Sequence, residues 1–345
     1  MTLAESLLWP ASVLYGGGAW LRAGAYRAGI LRQKRLNGIV ISVGNITTGG
    51  TGKTPMVVWL AQRFLRSGKK AGVLSRGYRP LPEQADALKQ TSVDTQGWND
   101  EVALLHGRLG NAVRLGTGAN RFEKGKELEK QGVDCFILDD AFQHSQLARD
   151  VDIVMIDAAK AFGGGHVLPS GRLREPLSAL RRADIIVIHR TDERVPATEA
   201  LIRRYSSAPI YFSQTKFLDL ELYRGAEIAG TRATDRKFFA FCGIGNPAAF
   251  FTDLKKWGIS VLGHKSFRDH QRYTLADIAG LEEQAGAAGA DALLCTEKDV
   301  YDLPARIAAR LPIFFCKIDL QFNDEEGLWE SIVSVIESKG RGRTG

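Results

Sequence analysis

Apolar and polar positions along the chain fall into a repeating order of short β-type runs and helical stretches. Ile39-Val40-Ile41-Ser42-Val43 is a compact apolar run rich in β-branched residues, and residues 56–65 follow with apolar positions at helical spacing. Similar short runs at 71–75, 113–115, 133–138, 153–156 and 185–188 predict strands, with helices at 100–106 and 121–131 between them. Strands that read as nearly continuous apolar runs are buried on both faces, so the pattern predicts a parallel sheet covered by helices. Ligands of such a sheet collect at the carboxyl ends of its strands. Residues 211–223 stay β-like with no room for a crossover helix and read as a β linker. A second series follows, with strands at 238–242, 259–263, 292–295 and 313–318 and helices at 247–257 and 274–288. The expected division is an amphiphilic helix over 1–35, a core over 36–210, the linker over 211–235 and a smaller α/β domain over 236–345. The glycine- and arginine-rich tail from residue 339 reads as frayed.

The first 35 residues are richer in Leu, Ala, Gly, Trp and Tyr than this scheme requires. Arg22 and Arg27 interrupt the apolar stretch before it reaches the roughly 20 residues of a membrane span. Trp9, Tyr15, Trp20 and Tyr26 suit a headgroup zone, and Arg22, Arg27, Arg32, Lys34 and Arg35 suit anionic lipid. These residues predict a helix lying at a membrane interface; a helix packed on the protein's own core is the other reading. The 345-residue chain carries a net charge of +7, which fits an anionic partner such as nucleotide phosphate, acidic lipid or nucleic acid, or a basic surface without a partner. Its 44% hydrophobic content excludes a disordered chain. Cys135, Cys242, Cys295 and Cys316 form no C-x-x-C pair and read as buried thiols of a reducing, cytoplasmic compartment.

The strand at 39–43 runs into Gly49-Gly50-Thr51-Gly52-Lys53-Thr54-Pro55, and a helix follows. Strand, glycine loop and helix in that order are the context of a phosphate-binding loop. Backbone N–H groups of Gly49, Gly50 and Gly52 can approach phosphate oxygens, and the helix presents its positive end to the same anion. Lys53 would bridge the outer phosphates, and the Thr54 hydroxyl would coordinate Mg²⁺. The strict G-x-x-x-x-G-K-[ST] pattern fails at Thr47, which stands at the first glycine position. Cys135-Phe136-Ile137-Leu138 ends in Asp139-Asp140, a carboxylate pair placed to hold magnesium or to cap a helix. Asp100-Glu101 is a second acidic pair, able to deprotonate a hydroxyl or to start a helix. Arginines in Ser75-Arg76-Gly77-Tyr78-Arg79 and in Pro169-Ser170-Gly171-Arg172-Leu173-Arg174-Glu175-Pro176 could hold substrate or developing phosphoryl charge, or lie solvated. His270 stands on a loop of the second series. Thr296-Glu297-Lys298-Asp299 is similar to the guanine-reading N-K-x-D, but its lysine comes one position late, which speaks against a GTPase.

Taken in order, these strings resemble tetraacyldisaccharide 4'-kinase, the lipid A 4'-kinase family of Gram-negative bacteria. The resemblance begins at Gly44-Asn45-Ile46-Thr47-Thr48-Gly49-Gly50-Thr51-Gly52-Lys53-Thr54-Pro55. It continues through Ser75 to Arg79, Asp100-Glu101, Asp139-Asp140-Ala141-Phe142-Gln143-His144 and Leu168 to Pro176. Cys242-Gly243-Ile244-Gly245-Asn246-Pro247, Phe267 to His270 and Thr296 to Asp299 complete it, from about residue 38 to about residue 303. It implies two α/β/α sandwich domains, a P-loop NTPase-type core and a smaller C-terminal domain, joined by a β linker and preceded by a membrane-associating helix. It implies ATP- and Mg²⁺-dependent phosphorylation of the 4'-hydroxyl of a tetraacylated glucosamine disaccharide 1-phosphate at the cytoplasmic face of the bacterial inner membrane. Asp100 then matches the catalytic base, assisted by His270, while Glu101, Asp139 and Asp140 match acidic residues of the metal and substrate site. Arg76, Tyr78, His144 and Arg172 are the expected substrate contacts, and Thr47 to Thr54 the nucleotide contacts. The family's usual G-D-E-P is here Asn99-Asp100-Glu101-Val102, and its D-H-H or D-H-x is Asp269-His270-Gln271, which keeps the first histidine.

A P-loop switch or assembly ATPase at a membrane is the rival reading, but it would need neither Asp100 and His270 nor an amphiphilic N-terminus. Nothing in the sequence resembles a helix-turn-helix, zinc or RNA-recognition motif, so nucleic acid is not an expected partner. No protein partner is indicated, and a monomer would suffice.

Overall fold

Strand β1 (Ile39–Gly44) is buried almost from end to end because helices cover both faces of the parallel sheet to which it belongs. A computed structural model describes residues 3–77, 99–223, 236–304, 307 and 309–340. After an N-terminal helix α1 (Leu3–Arg27), β1 leads through the glycine loop into α2 (Lys53–Arg66) and β2 (Ala71–Ser75). Helix α3 (Asp100–Leu109), β3 (Arg114–Thr117), α4 (Arg121–Lys130), β4 (Cys135–Asp139), β5 (Val151–Asp157) and β6 (Ile185–His189) follow. Next come α5 (Pro196–Arg203), the long strand β7 (Ile210–Leu222), β8 (Phe238–Cys242), α6 (Pro247–Lys256) and β9 (Val261–Ser266). The chain closes with α7 (Leu275–Ala288), β10 (Ala292–Thr296), the short α8 (Glu297–Val300), β11 (Ile313–Phe322) and α9 (Glu325–Gly340).

Described residues within Met1–Arg76, Asn111–Gln214 and Leu320–Gly345 form one compact unit, and those within Gly77–Gly110 and Thr215–Asp319 form another. In the first, the strands run β3-β2-β4-β1-β5-β6-β7, and every neighbouring pair is parallel. Val43 is paired with Asp139, so the carboxyl end of β4 lies beside the strand that enters the glycine loop. Met56, Val57 and Leu60 bury one face of α2 completely. In the second unit the parallel order is β11-β10-β8-β9. Alternate strand residues feed opposite faces. Phe239, Phe241, Leu293 and Cys295 pack with Ile278 and Leu281 of α7, whereas Phe238, Ala240 and Leu294 pack with Phe250 and Leu254 of α6.

This division differs from the expected split at 36–210, 211–235 and 236–345. Helix α3 joins the second unit because Arg108 grips Glu297 of α8 with two bonds of 2.6 and 2.7 Å. Helix α9, absent from the sequence expectation, joins the first: Trp329 meets Phe64 edge-on at 4.9 Å and Glu325 accepts from Trp59 at 3.0 Å. The β-like stretch expected at 211–223 is one strand, β7, over Ile210–Leu222. The strand expected at 259–263 begins at Val261, because Ile259 still donates to Leu254 in the turn that ends α6. Helix α5 was also not expected; Pro196 occupies its first turn. All four cysteines are buried free thiols.

Helix α1 is partly packed on the protein and partly exposed. Ser12 is buried, and its hydroxyl bonds the Ser170 hydroxyl at 2.8 Å and accepts from the Ser170 backbone at 2.9 Å. One narrow stripe therefore packs on the protein itself. Leu8, Trp9, Val13, Leu14, Tyr15 and Leu21 remain exposed, Leu14 by 79%. No helix among the described residues is long and apolar enough to cross a membrane.

Candidate active site

The expected site residues that the structure describes fall into two clusters, one in each unit. In the first, the loop between β1 and α2 wraps around the buried Asn45, whose amide donates to the Thr51 hydroxyl at 3.0 Å. Gly49 and Gly52 have φ of 112° and 79°, a region open to glycine but strained for other residues. At Gly52 a side chain would also meet the His189 ring 2.7 Å away. His189 is fully buried, lies 3.1 Å from the Ser213 hydroxyl, and is pushed down to about 3 chiefly by burial, so it is a neutral floor beneath the loop. Lys53 and Thr54 open α2, where its positive end faces the loop.

The second wall of this cluster is the turn-rich segment 166–176. Arg172 donates from its guanidinium to the Thr48 carbonyl at 2.7 Å and accepts at its own carbonyl from the Thr48 N–H at 2.8 Å. Arg172, expected among the substrate contacts, thus lies over Gly49 and braces the phosphate loop. Arg174 grips both oxygens of Asp140 at 2.9 and 2.8 Å, and Lys53 stands 3.5 Å from the same carboxylate. Burial pushes the Asp140 carboxyl up, but Lys53 and Arg174 outweigh it and hold it below the usual carboxylate range. Asp140 has φ of 46°, an uncommon left-handed conformation for a non-glycine residue. Helix capping does not account for Asp139 and Asp140, because no helix follows β4 before β5. Arg121 instead holds their segment by donating to the Asp139 carbonyl at 2.6 Å, and Arg149 donates to the Ala141 and His144 carbonyls at 3.0 Å each. Gln143 ties the segment to the loop by donating to the Asn45 carbonyl at 2.9 Å.

His144 is half-buried and depressed to about 4, first by burial and then by the charges of Arg121, Arg149, Arg22 and Arg76. A neutral imidazole among four arginines can donate to, or accept from, an anionic or hydroxylated ligand. Arg76 is exposed at the end of β2. Tyr78 lies outside the described residues.

In the second unit, Asn99 caps α3 by accepting from Val102 at 3.0 Å, so Asp100 is not the cap. The departure from glycine at position 99 supplies that bond. The Asp100 side chain is only 4% exposed and accepts from His270 Nδ1 at 2.9 Å. Burial raises the Asp100 carboxyl, yet the His270 bond and the Lys298 charge reverse this and leave it below its ordinary value. His270 is raised, first by its bond to Asp100, against its own burial and the Lys298 charge. Its φ of 58° is a second left-handed non-glycine backbone, held by donation of its N–H to the Gly243 carbonyl at 2.9 Å. Asp100 and His270 are thus brought together as expected.

The two units divide the expected metal set. Thr54, Asp139 and Asp140 belong to the first unit and Glu101 to the second, where Lys298 stands 3.8 Å from it. Among the described residues no group of three or more His, Cys, Asp and Glu side chains could hold a metal alone. Hydroxyl and carboxylate oxygens nevertheless suit magnesium, which takes one or two carboxylates and completes its shell with phosphate and water. The sequence reading had Arg174 among the loop arginines able to hold phosphoryl charge but not its grip on Asp140, and it missed Lys298, whose only signal was a motif judged against the guanine-reading template.

The family model for tetraacyldisaccharide-1-P 4'-kinase matches residues 4–337. A tetraacyldisaccharide 4'-kinase of Geobacter metallireducens is 37% identical over 343 residues, covering 97% of this chain and 99% of the relative. One from Desulfotalea psychrophila is 35% identical over 318 residues, covering 90% of each. The crystal structure of LpxK from Aquifex aeolicus in complex with ATP superposes with a TM-score of 0.72 at 29% identity, covering 97% of this chain and all of that one. A model match over nearly the full length, with relatives at 35% and 37% identity, places this chain in the tetraacyldisaccharide-1-P 4'-kinase family.

Proposed function

We propose that this chain transfers the γ-phosphoryl group of ATP to the 4'-hydroxyl of a tetraacylated glucosamine disaccharide 1-phosphate. The observation that carries this reading is the family match together with a phosphate loop whose lysine already stands against the Asp140–Arg174 pair. The ATP complex of the Aquifex aeolicus relative supports ATP as the donor.

Residues Thr47 to Thr54 hold the triphosphate through backbone N–H groups, and Lys53 moves its charge from Asp140 to the outer phosphates. Thr54 and Asp139 would hold Mg²⁺, since Arg174 already occupies both oxygens of Asp140. When bound, the ion neutralises charge on the phosphate oxygens. Arg174 stabilises the charge that builds on the transferred group. Asp100 accepts the hydroxyl proton as the oxygen–phosphorus bond forms and the bond to the β-phosphate oxygen breaks, leaving ADP; His270 takes part of the resulting charge. Arg76, Tyr78 and His144 recognise the anionic sugar acceptor, aided by the arginine field that depresses His144. The exposed apolar residues of α1 seat the protein on the cytoplasmic face of the inner membrane, where its lipid acceptor resides.

The test is how ATP turnover is partitioned. With disaccharide lipid present, one phospholipid product should form per ADP, and Lys53→Ala should abolish both. ATP hydrolysis stimulated by lipid without a phosphorylated lipid would overturn the kinase reading in favour of a switch ATPase.

A further inference from the structure

Lys298 occupies a position that the reading above leaves without a task. Its ammonium lies 3.3 Å from Asp100 Oδ2, 3.8 Å from Glu101 Oε1 and 3.7 Å from Asp269 Oδ1. It also lies 3.4 Å from His270 Nε2, the ring nitrogen not used for Asp100. One cation therefore sits among three carboxylates and an imidazole drawn from two separate chain segments. Asp302, just past α8, adds a further carboxyl to the same field.

The lysine is also held unusually firmly from behind. Its neighbours on both sides are buried and committed elsewhere. Glu297 is gripped by Arg108 of α3, the helix that begins with Asp100. Asp299 accepts from the Gly243 N–H at 2.7 Å and the Tyr273 hydroxyl at 2.8 Å, and it completes the capping box with Thr296. Gly107 on α3 brings the helices so close that a side chain there would collide with the Tyr301 hydroxyl. The backbone bearing Lys298 is thereby fixed relative to the first turn of α3. Gly243, which shares Asp299 with this turn, also holds the His270 backbone through its carbonyl.

We propose that Lys298 is a positioning residue that acts through Asp100, keeping its carboxylate and the His270 ring in one fixed arrangement. Three carboxylates without a central cation would repel one another, and Asp100 would turn from His270 towards water. The flexible lysine stem alone could not set such a geometry, but a stem rising from a backbone fixed through Glu297 and Asp299 can. This inference rests on Asp100 being the base of the proposed reaction. A lysine that instead touched a ligand phosphate would show its effect in substrate affinity.

A double-mutant cycle on turnover decides between these roles. Full-length protein carrying Lys298→Met, Lys298→Arg, Asp100→Asn or the pair Asp100→Asn/Lys298→Met is assayed with ATP and tetraacyl disaccharide 1-phosphate. Folding is checked by thermal melting. Lys298→Met should lower kcat roughly 10- to 100-fold, the range expected for a misplaced base, with both KM values within about twofold. Lys298→Arg, which keeps the cation, should recover most of that loss. In the Asp100→Asn background the methionine should cost less than about twofold more, because the group it serves is already gone. Equal losses from Lys298→Met in both backgrounds, or a loss confined to KM, would overturn the proposal. If Lys298→Met fails to melt cooperatively, Lys298→Gln takes its place in the cycle. Near-normal turnover of Asp100→Asn would instead defeat the base assignment itself, which separates the two failures.

Discussion

Arg108→Met offers a quantitative test of how the second unit is held together. Arg108 and Glu297 are 11% and 10% exposed, joined by two short bonds, and Arg108 also donates to the Ile318 carbonyl. Even so, burial keeps the Glu297 carboxyl above its ordinary value, with the Arg108 bond and charge only partly offsetting it. Desolvation therefore outweighs the attraction at Glu297, and the pair adds geometry more than net stability. Removing the arginine leaves a buried carboxylate without its cation, at a cost of about 3–5 kcal/mol. With a urea m-value of about 2 kcal/mol/M, this lowers the midpoint by roughly 2 M. The variant can escape by protonating Glu297. A carboxyl whose folded pKa lies above its unfolded value holds its proton longer when folded. Stability is then greatest below the unfolded value and falls as pH rises through the folded one. The loss should thus be larger at pH 7 than at pH 5. Arg108→Met/Glu297→Leu, which removes the buried charge altogether, should recover most of the midpoint. Urea titrations followed by tryptophan fluorescence and circular dichroism supply the measurement. A single-variant loss below about 1 kcal/mol, or a double variant as unstable as the single, would refute this reasoning.

The remaining predictions concern the two clusters and α1. By NMR titration, His270 should protonate above 6.5, the Asp100 bond being the leading cause, and Asp100→Asn should bring it down. The stability from that pair is present below the unfolded histidine value and is lost as pH rises through the folded one; a His270 titrating at or below 6.5 in the native protein would contradict this. Lys53→Ala should cut phosphoryl transfer by at least about 10²-fold, and wild-type turnover would remove the lysine from the mechanism. Deleting residues 3–27 should reduce cosedimentation with phosphatidylglycerol vesicles, whereas undiminished pelleting would show that α1 does not anchor the chain.

The parts of this protein that were legible from sequence are those where chemistry and local conformation coincide. Gly49 to Thr54 identify themselves because positive φ and phosphate approach both demand glycine beside a lysine. Asp139-Asp140 were readable because acidic residues closing an apolar strand stand where a parallel sheet collects its ligands. The rest depended on long-range contacts. Arg174 stood out only as one arginine of a turn-rich loop, and its task appears with its bond to Asp140, 34 residues away. Lys298 is separated from Asp100 by almost two hundred positions, and its four-residue helix has no periodic signal. The left-handed backbones of Asp140 and His270 are not legible from residue type, because Asp and His favour that region yet enter it at few of their positions. Helix α9 was missed because its partner surface, formed by Trp59 and Phe64, lies near the other end of the chain.

The central claim is tested most directly by identifying the product. Purified full-length protein, ATP, Mg²⁺ and tetraacyl disaccharide 1-phosphate are combined, and the lipid is examined by ³¹P NMR. A second phosphomonoester at the 4'-position, formed in step with ADP, is the predicted result. Lipid recovered with its single original phosphate, while ATP is consumed, would contradict the account.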